Sequence, residues 1–233
     1  IASVPTVSLN GKIRGRGHST WDQPKNPYKV QFSNDASYAR ITDVLGMKKQ
    51  RNWALLADYF DRSLIRNKLA LSLGSSSVFS DGLKWTPSGQ HVEVYLNDDY
   101  VGVYLLTEDI RIDPARLNIK KMSSSAAAND LDGGYIVEVD FRLDCYKGPG
   151  LDLQLVTASG VPFCVDTPDE EAITPSQLAY IKNLLVQVEL ELSGPDPLHK
   201  INPVSFADWY LLQELFRNND AAFIASDFMW KDT

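Results

Sequence analysis

A stretch rich in glycine, hydroxyl groups and cations near the start of the chain has the composition of an anion-binding loop. It consists of Gly15–Trp21 (GRGHSTW) followed by Pro24–Lys29 (PKNPYK). Glycines let the backbone approach an anion closely, hydroxyl and N–H groups donate to its oxygens, and Lys or Arg neutralises its charge. The stretch has neither the third glycine of a GxGxxG fingerprint nor a Gly-Lys-Ser/Thr ending. Two interpretations follow, a phosphate-binding loop and a tight turn before a strand.

Asp220 is a candidate proton acceptor. It ends the run Arg217–Asp220 (RNND), which follows an aromatic-rich helical pattern and precedes a predicted strand over 227–231. The partial negative charge at a helix C-terminus disfavours a carboxylate at this position, so its presence needs an explanation. An exposed surface turn is one explanation. The other is a carboxylate that accepts a proton from a hydroxyl nucleophile, as in phosphoryl transfer.

Glu138 and Asp140 form a second carboxylate candidate. They are two residues apart in a predicted strand over 133–140, so both side chains lie on one face, separated by roughly 6 to 7 Å. That arrangement suits paired-carboxylate chemistry such as glycoside hydrolysis. A solvated strand face is the ordinary alternative.

Composition and charge exclude several classes of protein. The 233 residues include 23 basic and 30 acidic side chains, giving a formal net charge of −7, so we expect no nucleic-acid partner. Apolar runs are only a few residues long, so we expect no membrane-spanning segment. With three histidines and no CxxC or HExxH motif, a zinc site is not expected, and any metal would be held by oxygen.

The first half of the chain reads mainly as strands. Alternating apolar and polar residues predict strands over 28–32, 91–96 and 100–106, and the last two form a hairpin around the turn formers Asn97–Asp99. A helix is predicted between these strands, with Asp61 as its cap and Gly74 just past its C-terminus. The strand over 133–140 follows a Ser/Ala-rich loop over 123–129.

The second half changes to a helical period. Thr174, Pro175 and Gln177 form a capping box that predicts a helix start, and Asn202-Pro203 predicts a second helix. The second helix is expected to direct its apolar residues toward a core: Phe206, Trp209, Tyr210, Leu212, Leu215 and Phe216. Strands followed by helices favour an α+β fold over a parallel βαβ sheet.

The two cysteines, Cys145 and Cys164, flank a segment with glycine-containing turns. If the segment folds back as strands, the thiols can bridge, which favours an oxidising compartment. The alternative is two unpaired small hydrophobic residues. The first residues, Ile1–Pro5, lack the features of a signal peptide, which fits either a cytosolic protein or a processed form.

Several of these segments, taken in order, resemble the CotH kinase family, atypical protein kinases first associated with bacterial spore coats. Residues 14–28 look like the RGNSTW and PKKPY segment of the family, and residues 53–67 are similar to its W-x-L-x-A-x-Y-x-D-x-S-x-x-R-N block. The segments 94–108 and 133–140 and the pair Asn219-Asp220 follow in the order of the family.

The resemblance implies a divergent protein-kinase-like fold of two lobes in a single domain over 1–233. An antiparallel, strand-rich N-terminal lobe with one packed helix spans 1–110, connecting strands and loops span 111–170, and a helical C-terminal lobe spans 171–233. ATP and Mg²⁺ bind between the lobes of such a fold.

Specific roles follow from the same resemblance. Arg16, Ser19, and Lys25 or Lys29 would contact the ATP phosphates, with Glu108 as a further nucleotide-site residue. Asp220 would be the base that acts on a Ser or Thr hydroxyl of a surface or coat protein. Weaker candidates are Arg66, Asn67 and Glu138.

The chain also departs from the family pattern. His18 stands where the family has Asn, Asn26 replaces the second Lys of PKKPY, and Ala225-Ser226 stands where an Asn helps to hold metal. The metal-binding Asp of the family lies in a WDFD-like segment beyond residue 233, so we expect a C-terminally truncated chain with metal ligands that are not identified. These departures support an alternative, a non-catalytic pseudokinase or cell-surface interaction module. By family analogy the protein is exported to a cell surface or spore coat, with the cytoplasm as the alternative.

Overall fold

The computed structural model describes residues 8–33, 44–123, 131–221 and 225–233. Most of the Ser/Ala-rich loop predicted over 123–129 lies outside these residues. The described residues form antiparallel sheets and four α-helices. The chain divides into two compact units, Ile1–Ile110 and Arg111–Thr233, and each is described by itself.

The first unit is built on a five-stranded antiparallel sheet with the order β1-β2-β3-β5-β4. Its elements in chain order are β1 (Asn10–Gly15), β2 (Tyr28–Ser33), β3 (Asn52–Leu56), α1 (Arg66–Gly74), α2 (Ser80–Leu83), β4 (Gly89–Leu96) and β5 (Asp99–Glu108). All three strands predicted in this region are confirmed. The buried core lies mainly on the central strands and includes Val30, Trp53, Leu55, Tyr104 and Leu106.

The β4–β5 hairpin has the predicted turn. Asn97 and Asp98 have φ values of 51° and 70°, so both central residues of a two-residue turn lie in the left-handed region, where Asn and Asp are tolerated. Gly102 follows with a φ of 109°, beside a register shift at Val94/Tyr95. The register shift is a local irregularity of the β4–β5 ladder, and the positive φ of Gly102 beside it is one that residues with a side chain rarely adopt.

The first helix begins later and ends later than predicted. It starts at Arg66 because Leu64 has a left-handed φ of 60° and cannot extend it backwards. The N-cap is Ile65 and not Asp61 as predicted, although the Asp61 carboxylate accepts a hydrogen bond from the backbone N–H of Arg66 at 2.9 Å. Gly74 is the last helical residue, and Ser75, with a φ of −86°, is the C-cap. The prediction of Gly74 as the residue past the end was therefore wrong by one position.

The second unit combines a sheet with helices. Its elements are β6 (Tyr135–Val139), β7 (Lys147–Gly148), β8 (Leu151–Asp152), β9 (Gln154–Val156), β10 (Pro162–Thr167), α3 (Pro175–Leu192), α4 (Pro203–Phe216), a single 3₁₀ turn (Asn219–Ala221) and β11 (Asp227–Lys231). Four strands form an antiparallel sheet with the order β11-β6-β10-β9. The strand predicted over 227–231 is confirmed as β11, and it returns to pair with β6.

The core of this unit lies between the sheet and α3. Alternate residues of β6 and β10, such as Val137 and Val165, pack with Leu178 and Ile181 of the helix. The predicted capping box of α3 is confirmed: Thr174 Oγ1 accepts from the Gln177 N–H at 3.2 Å, and Gln177 Oε1 accepts from the Thr174 N–H at 2.9 Å. These contacts satisfy donors that a helix start leaves without intrahelical partners.

The second long helix buries much less than predicted. Asn202 caps α4 as expected, but Leu212 is its only buried residue, and Phe206, Tyr210 and Leu215 are exposed. The half-buried Trp209 and Phe216 lie on the same side as Leu212. Apolar residues surround nearly the whole circumference of this helix, so periodicity could not identify the covered side.

Cys145 and Cys164 are joined by a disulfide, with their Cα atoms 5.8 Å apart. Cys164 lies on β10, and the bridge attaches the segment before β7 to the sheet. Of the two interpretations left open by the sequence, the bridged one is correct.

No helix in the described ranges combines the length and the apolar character needed to cross a bilayer.

Candidate functional site

The β1–β2 loop (residues 16–27) has a defined shape made by its own hydrogen bonds. Arg16 N–H donates to the Pro27 carbonyl at 3.2 Å and closes the loop at its base. Gly17 has a φ of 79°, and a Cβ at this residue would collide with the Thr20 hydroxyl. Trp21 covers Gly15 so closely that a Cβ there would lie 2.6 Å from its ring. Each glycine is therefore required for this shape.

Asn26 holds the second half of the loop together. Its side-chain amide donates to the carbonyls of Trp21 and Gln23, the latter at 3.1 Å, and its own carbonyl accepts from the Tyr104 hydroxyl at 3.0 Å. This residue replaces a Lys of the family pattern. Its amide contacts explain how the loop keeps its shape without that cation.

Lys25 has its ammonium group inside the first unit. Its Nζ donates to the carbonyl of Ala57 at 2.7 Å and to the carbonyl of Val103, and lies 4.5 Å from the ring centre of Tyr104. Burial lowers the pKa of Lys25, while the nearby charge of Asp58 acts in the opposite direction. Lys25, which the family resemblance assigns to the ATP phosphates, therefore binds two backbone carbonyls in this structure.

Arg16 and Ser19 carry exposed side chains on the same loop. The Ser19 carbonyl accepts from the Gln23 side chain at 3.2 Å, and the exposed Ser19 side chain carries a hydroxyl that is able to donate a hydrogen bond. Both residues lie on the loop that leads into β2, and their contact with phosphate stays a prediction. A guanidinium and a hydroxyl on one closed loop suit the recognition of phosphate oxygens.

Lys29 and Glu108 lie on two strands of the same sheet, β2 and β5. Lys29 on β2 makes an ion pair with Asp109, with Nζ and Oδ2 2.8 Å apart. Glu108, the last residue of β5, is 5% exposed, and its carboxylate accepts from the Ser88 N–H at 2.9 Å. Glu108 also lines a cavity of about 350 Å³ with Trp85 among its other walls.

Asp58 was not predicted as a site residue, but its charge acts on Lys25. It follows β3, has a left-handed φ of 48°, and its Oδ1 accepts from the Asn67 side chain of α1 at 2.6 Å. Burial raises the pKa of Asp58, and the Asn67 hydrogen bond partly offsets this rise. Asp58 and Asn67 both lie in the block 53–67 that resembles the family, so the signal was in the sequence. The structure thus links Asn67 of that block to the carboxylate nearest Lys25.

Asp220 lies in the second unit, in the 3₁₀ turn Asn219–Ala221, and is exposed. The turn is fixed to the end of α4: Arg217 has a left-handed φ of 49°, and the Asn218 side chain donates to Gln213 Oε1 at 2.9 Å. The carboxylate is therefore accessible to a hydroxyl nucleophile. Residues 222–224, which follow it, lie outside the described ranges.

Glu138 lies on β6, whereas Asp140 follows the last residue of that strand, so the strand is shorter than the predicted 133–140. The two carboxylates also have different surroundings. Asp140 is buried and pairs with Arg142, whose Nε lies 2.8 Å from its Oδ1. The pKa of Glu138 is raised to about 7, first by burial and then by the charges of Asp140 and Asp166. Since Arg142 occupies Asp140, the pair lacks the two available carboxyl groups that glycoside hydrolysis requires.

Among the described residues, no group of three His, Cys, Asp or Glu side chains is placed to hold a metal ion. The oxygen ligands that Mg²⁺ prefers are therefore not assembled in the ranges described. Because of this, no residue is assigned as a metal ligand.

Comparison with known proteins agrees with the order of the motifs. The family model described as CotH kinase protein matches residues 13–233. This range includes the β1–β2 loop, the block with Asp58 and Asn67, the strand with Glu138, and Asp220. A search of curated proteins returned no match. The family match covers nearly the whole chain, and the chain therefore belongs to the CotH kinase protein family.

Proposed function

We propose that this chain is an atypical protein kinase that transfers the γ-phosphate of ATP to a Ser or Thr hydroxyl of a surface or coat protein. The observation that carries the proposal is the closed β1–β2 loop, on which Arg16 supplies a guanidinium and Ser19 a hydroxyl. The match to the CotH kinase protein family supports it. We assign the phosphate contacts to Arg16, Ser19 and Lys29, and we keep Glu108, at the end of β5, as a further nucleotide-site residue.

In the proposed reaction, Asp220 accepts the proton of the attacking hydroxyl. The hydroxyl oxygen forms a bond to the γ-phosphorus, the bond between that phosphorus and the bridging oxygen breaks, and ADP leaves. The exposed position of Asp220 on a turn fixed to α4 supports this role, because a base must reach the substrate oxygen. When bound, Mg²⁺ would neutralise charge on the phosphates, and none of the residue roles assigned here depends on its position.

Export to a cell surface or spore coat is part of the proposal. The Cys145–Cys164 bridge supports it, since disulfides persist in oxidising compartments and are rare in the cytosol. Bacterial spore or cell surfaces are such environments. The substrate is then a protein of the same compartment.

The second candidate function is a non-catalytic pseudokinase or surface interaction module. It is favoured by the lack of a three-ligand metal group within the described ranges and by the use of Asn26 where the family has a cation. On this candidate the loop keeps a structural role, and Asp220 is an ordinary exposed carboxylate.

Calorimetric titration with Mg-ATP and a phosphotransfer assay, scored as autophosphorylation and on Ser/Thr peptides, separate the candidates. We expect ATP binding, and a loss of transfer of about 100-fold or more in Asp220→Asn, with ATP affinity unchanged within about twofold. Asp196→Asn, an exposed carboxylate in the α3–α4 connection, is the matched control. Absence of ATP binding in the unmodified chain favours the pseudokinase, and full transfer in Asp220→Asn removes Asp220 as the base.

A further inference from the structure

We propose that Lys25 is a positioning residue that fastens the β1–β2 loop to the sheet, so that the loop has its binding shape before a ligand arrives. The proposal rests on the nucleotide-binding role proposed for this loop. It assigns to Lys25 a role other than the phosphate contact implied by the family resemblance.

The ammonium group of Lys25 joins three parts of the first unit. Its two backbone acceptors are Ala57, just after β3, and Val103 on β5, which are 32 and 78 residues away in sequence. An ammonium has three donors, so two of them are used to attach the loop to two different strands. The face of the Tyr104 ring adds a cation–π contact on the same side.

Strand β5 is shaped to receive this side chain. Gly102 has a φ of 109°, which L-residues rarely adopt, and a Cβ at that position would lie in van der Waals contact with Cε of Lys25, at 3.4 Å. Two residues further on, Tyr104 supplies both the ring under Lys25 and the hydroxyl that binds the Asn26 carbonyl at 3.0 Å. One strand therefore contacts two consecutive loop residues.

Recruitment of Lys25 by a phosphate would carry a cost. Ala57 is 5% exposed, so removing the ammonium from its carbonyl would leave a buried acceptor without this donor. Asp58, whose Oδ1 is held by Asn67, adds an attraction that keeps the positive charge where it is. Arg16, in contrast, carries an exposed side chain, whereas Lys29 would have to leave its ion pair with Asp109 to contact a phosphate.

The first experiment measures amide hydrogen exchange of the β1–β2 loop without nucleotide. Lys25→Met keeps the length of the side chain and removes the charge and donors. We expect exchange over 16–27 to rise about tenfold or more, while peptides from β3 keep their protection. Lys49→Met, at an exposed lysine, is the control and should leave both regions unchanged. Unchanged loop exchange in Lys25→Met would overturn the proposal.

The second experiment separates positioning from direct contact. ATP affinity is measured for Lys25→Met, Arg16→Ala and the double variant. If Lys25 acts through the loop that presents Arg16, the double variant binds about as weakly as the weaker single variant. Additive losses, with loop exchange unaffected, would show an independent phosphate contact and contradict the positioning role.

Two further outcomes keep the proposal testable. If Lys25→Met does not fold, Tyr104→Phe removes the hydroxyl that holds Asn26, and we expect a rise in loop exchange of about threefold or more; no rise would contradict fastening of the loop from β5. If the unmodified chain does not bind ATP, the proposed function fails. The exchange results then still decide whether Lys25 fastens the loop.

Discussion

The ammonium of Lys29 lies 2.8 Å from the Asp109 carboxylate, so the strand after the β1–β2 loop is tied to the residue that follows β5. Both side chains are mostly covered, at 29% and 16% exposure, so the pair is screened less than an exposed one. The same cation is assigned a phosphate contact. Its affinity for an anion therefore depends on how strongly Asp109 holds it.

Changes at these two residues should move ATP affinity in opposite directions. Lys29→Met is expected to weaken binding about tenfold, because a charge contact with phosphate is lost. Asp109→Asn is expected to strengthen binding about threefold, because the lysine no longer has a competing anion. Calorimetric titration measures both, with Asp99→Asn at the hairpin turn as the control. Equal affinities in all four proteins would show that Lys29 is not a phosphate contact.

Glu138 predicts a pH dependence of stability. Its pKa is about 7 in the folded chain against 4.5 ordinarily, so between these values the folded state binds more protons than the unfolded state. The free energy of unfolding should therefore fall as pH rises from about 4.5 to about 7. In Glu138→Gln this contribution disappears, and the variant should be more stable at pH 8 by about 1 kcal/mol, after allowance for solvent that reaches the carboxyl.

Urea unfolding of Glu138→Gln and the unmodified chain at pH 4 and pH 8 checks this prediction. The two proteins should be nearly equal at pH 4 and should differ at pH 8. Glu93→Gln, at an exposed glutamate on β4, should follow the unmodified chain at both values. A difference that is the same at both pH values would point to packing instead of ionisation.

Gly17 and Gly46 allow steric and backbone effects to be compared. Both have left-handed φ values, 79° and 77°, but a Cβ at Gly17 meets the Thr20 hydroxyl and one at Gly46 meets no atom within 4 Å. Gly46→Ala should cost about 1 kcal/mol of stability from backbone strain alone. Gly17→Ala should cost about 1 kcal/mol more and should also reduce ATP binding. Equal costs would mean that the loop adjusts around Thr20.

The disulfide should be a major source of stability in the second unit. Cys145 and Cys164 are 19 residues apart, and closing a loop of this length restricts the unfolded chain by about 3 kcal/mol. The double variant Cys145→Ala/Cys164→Ala should lose about that amount in urea unfolding. Dithiothreitol should destabilise the unmodified chain and leave the double variant unaffected; sensitivity of the variant to the reductant would contradict the assignment.

Local sequence rules predicted the elements whose signals are contained within a few residues. Asn97 and Asp98 determine a turn through their tolerance of positive φ, and Thr174 with Gln177 determines a helix start through two hydrogen bonds. Both depend on side chain to backbone chemistry within four residues. Such rules need no knowledge of the rest of the fold.

Side-chain contacts between residues that lie far apart in the sequence could not be predicted. The family resemblance implies a phosphate contact for Lys25, yet the acceptors of its ammonium group belong to residues 57 and 103. Likewise Asp58 lies in the block that resembles the family, but that block does not show that Asp58 binds Asn67 and that its charge acts on Lys25. The role of a side chain therefore depends on which strands the fold places next to it.

The pairing of β11 with β6 also sets a condition on synthesis. Lys231 pairs with Tyr135, and Asp227 pairs with Val139, so one edge of this sheet joins segments separated by most of the second unit. A ribosome has to release the chain through Lys231 before that edge can close, and until then β6 presents unpaired backbone groups. Nascent chains are therefore expected to need protection of β6 until Lys231 has left the ribosome.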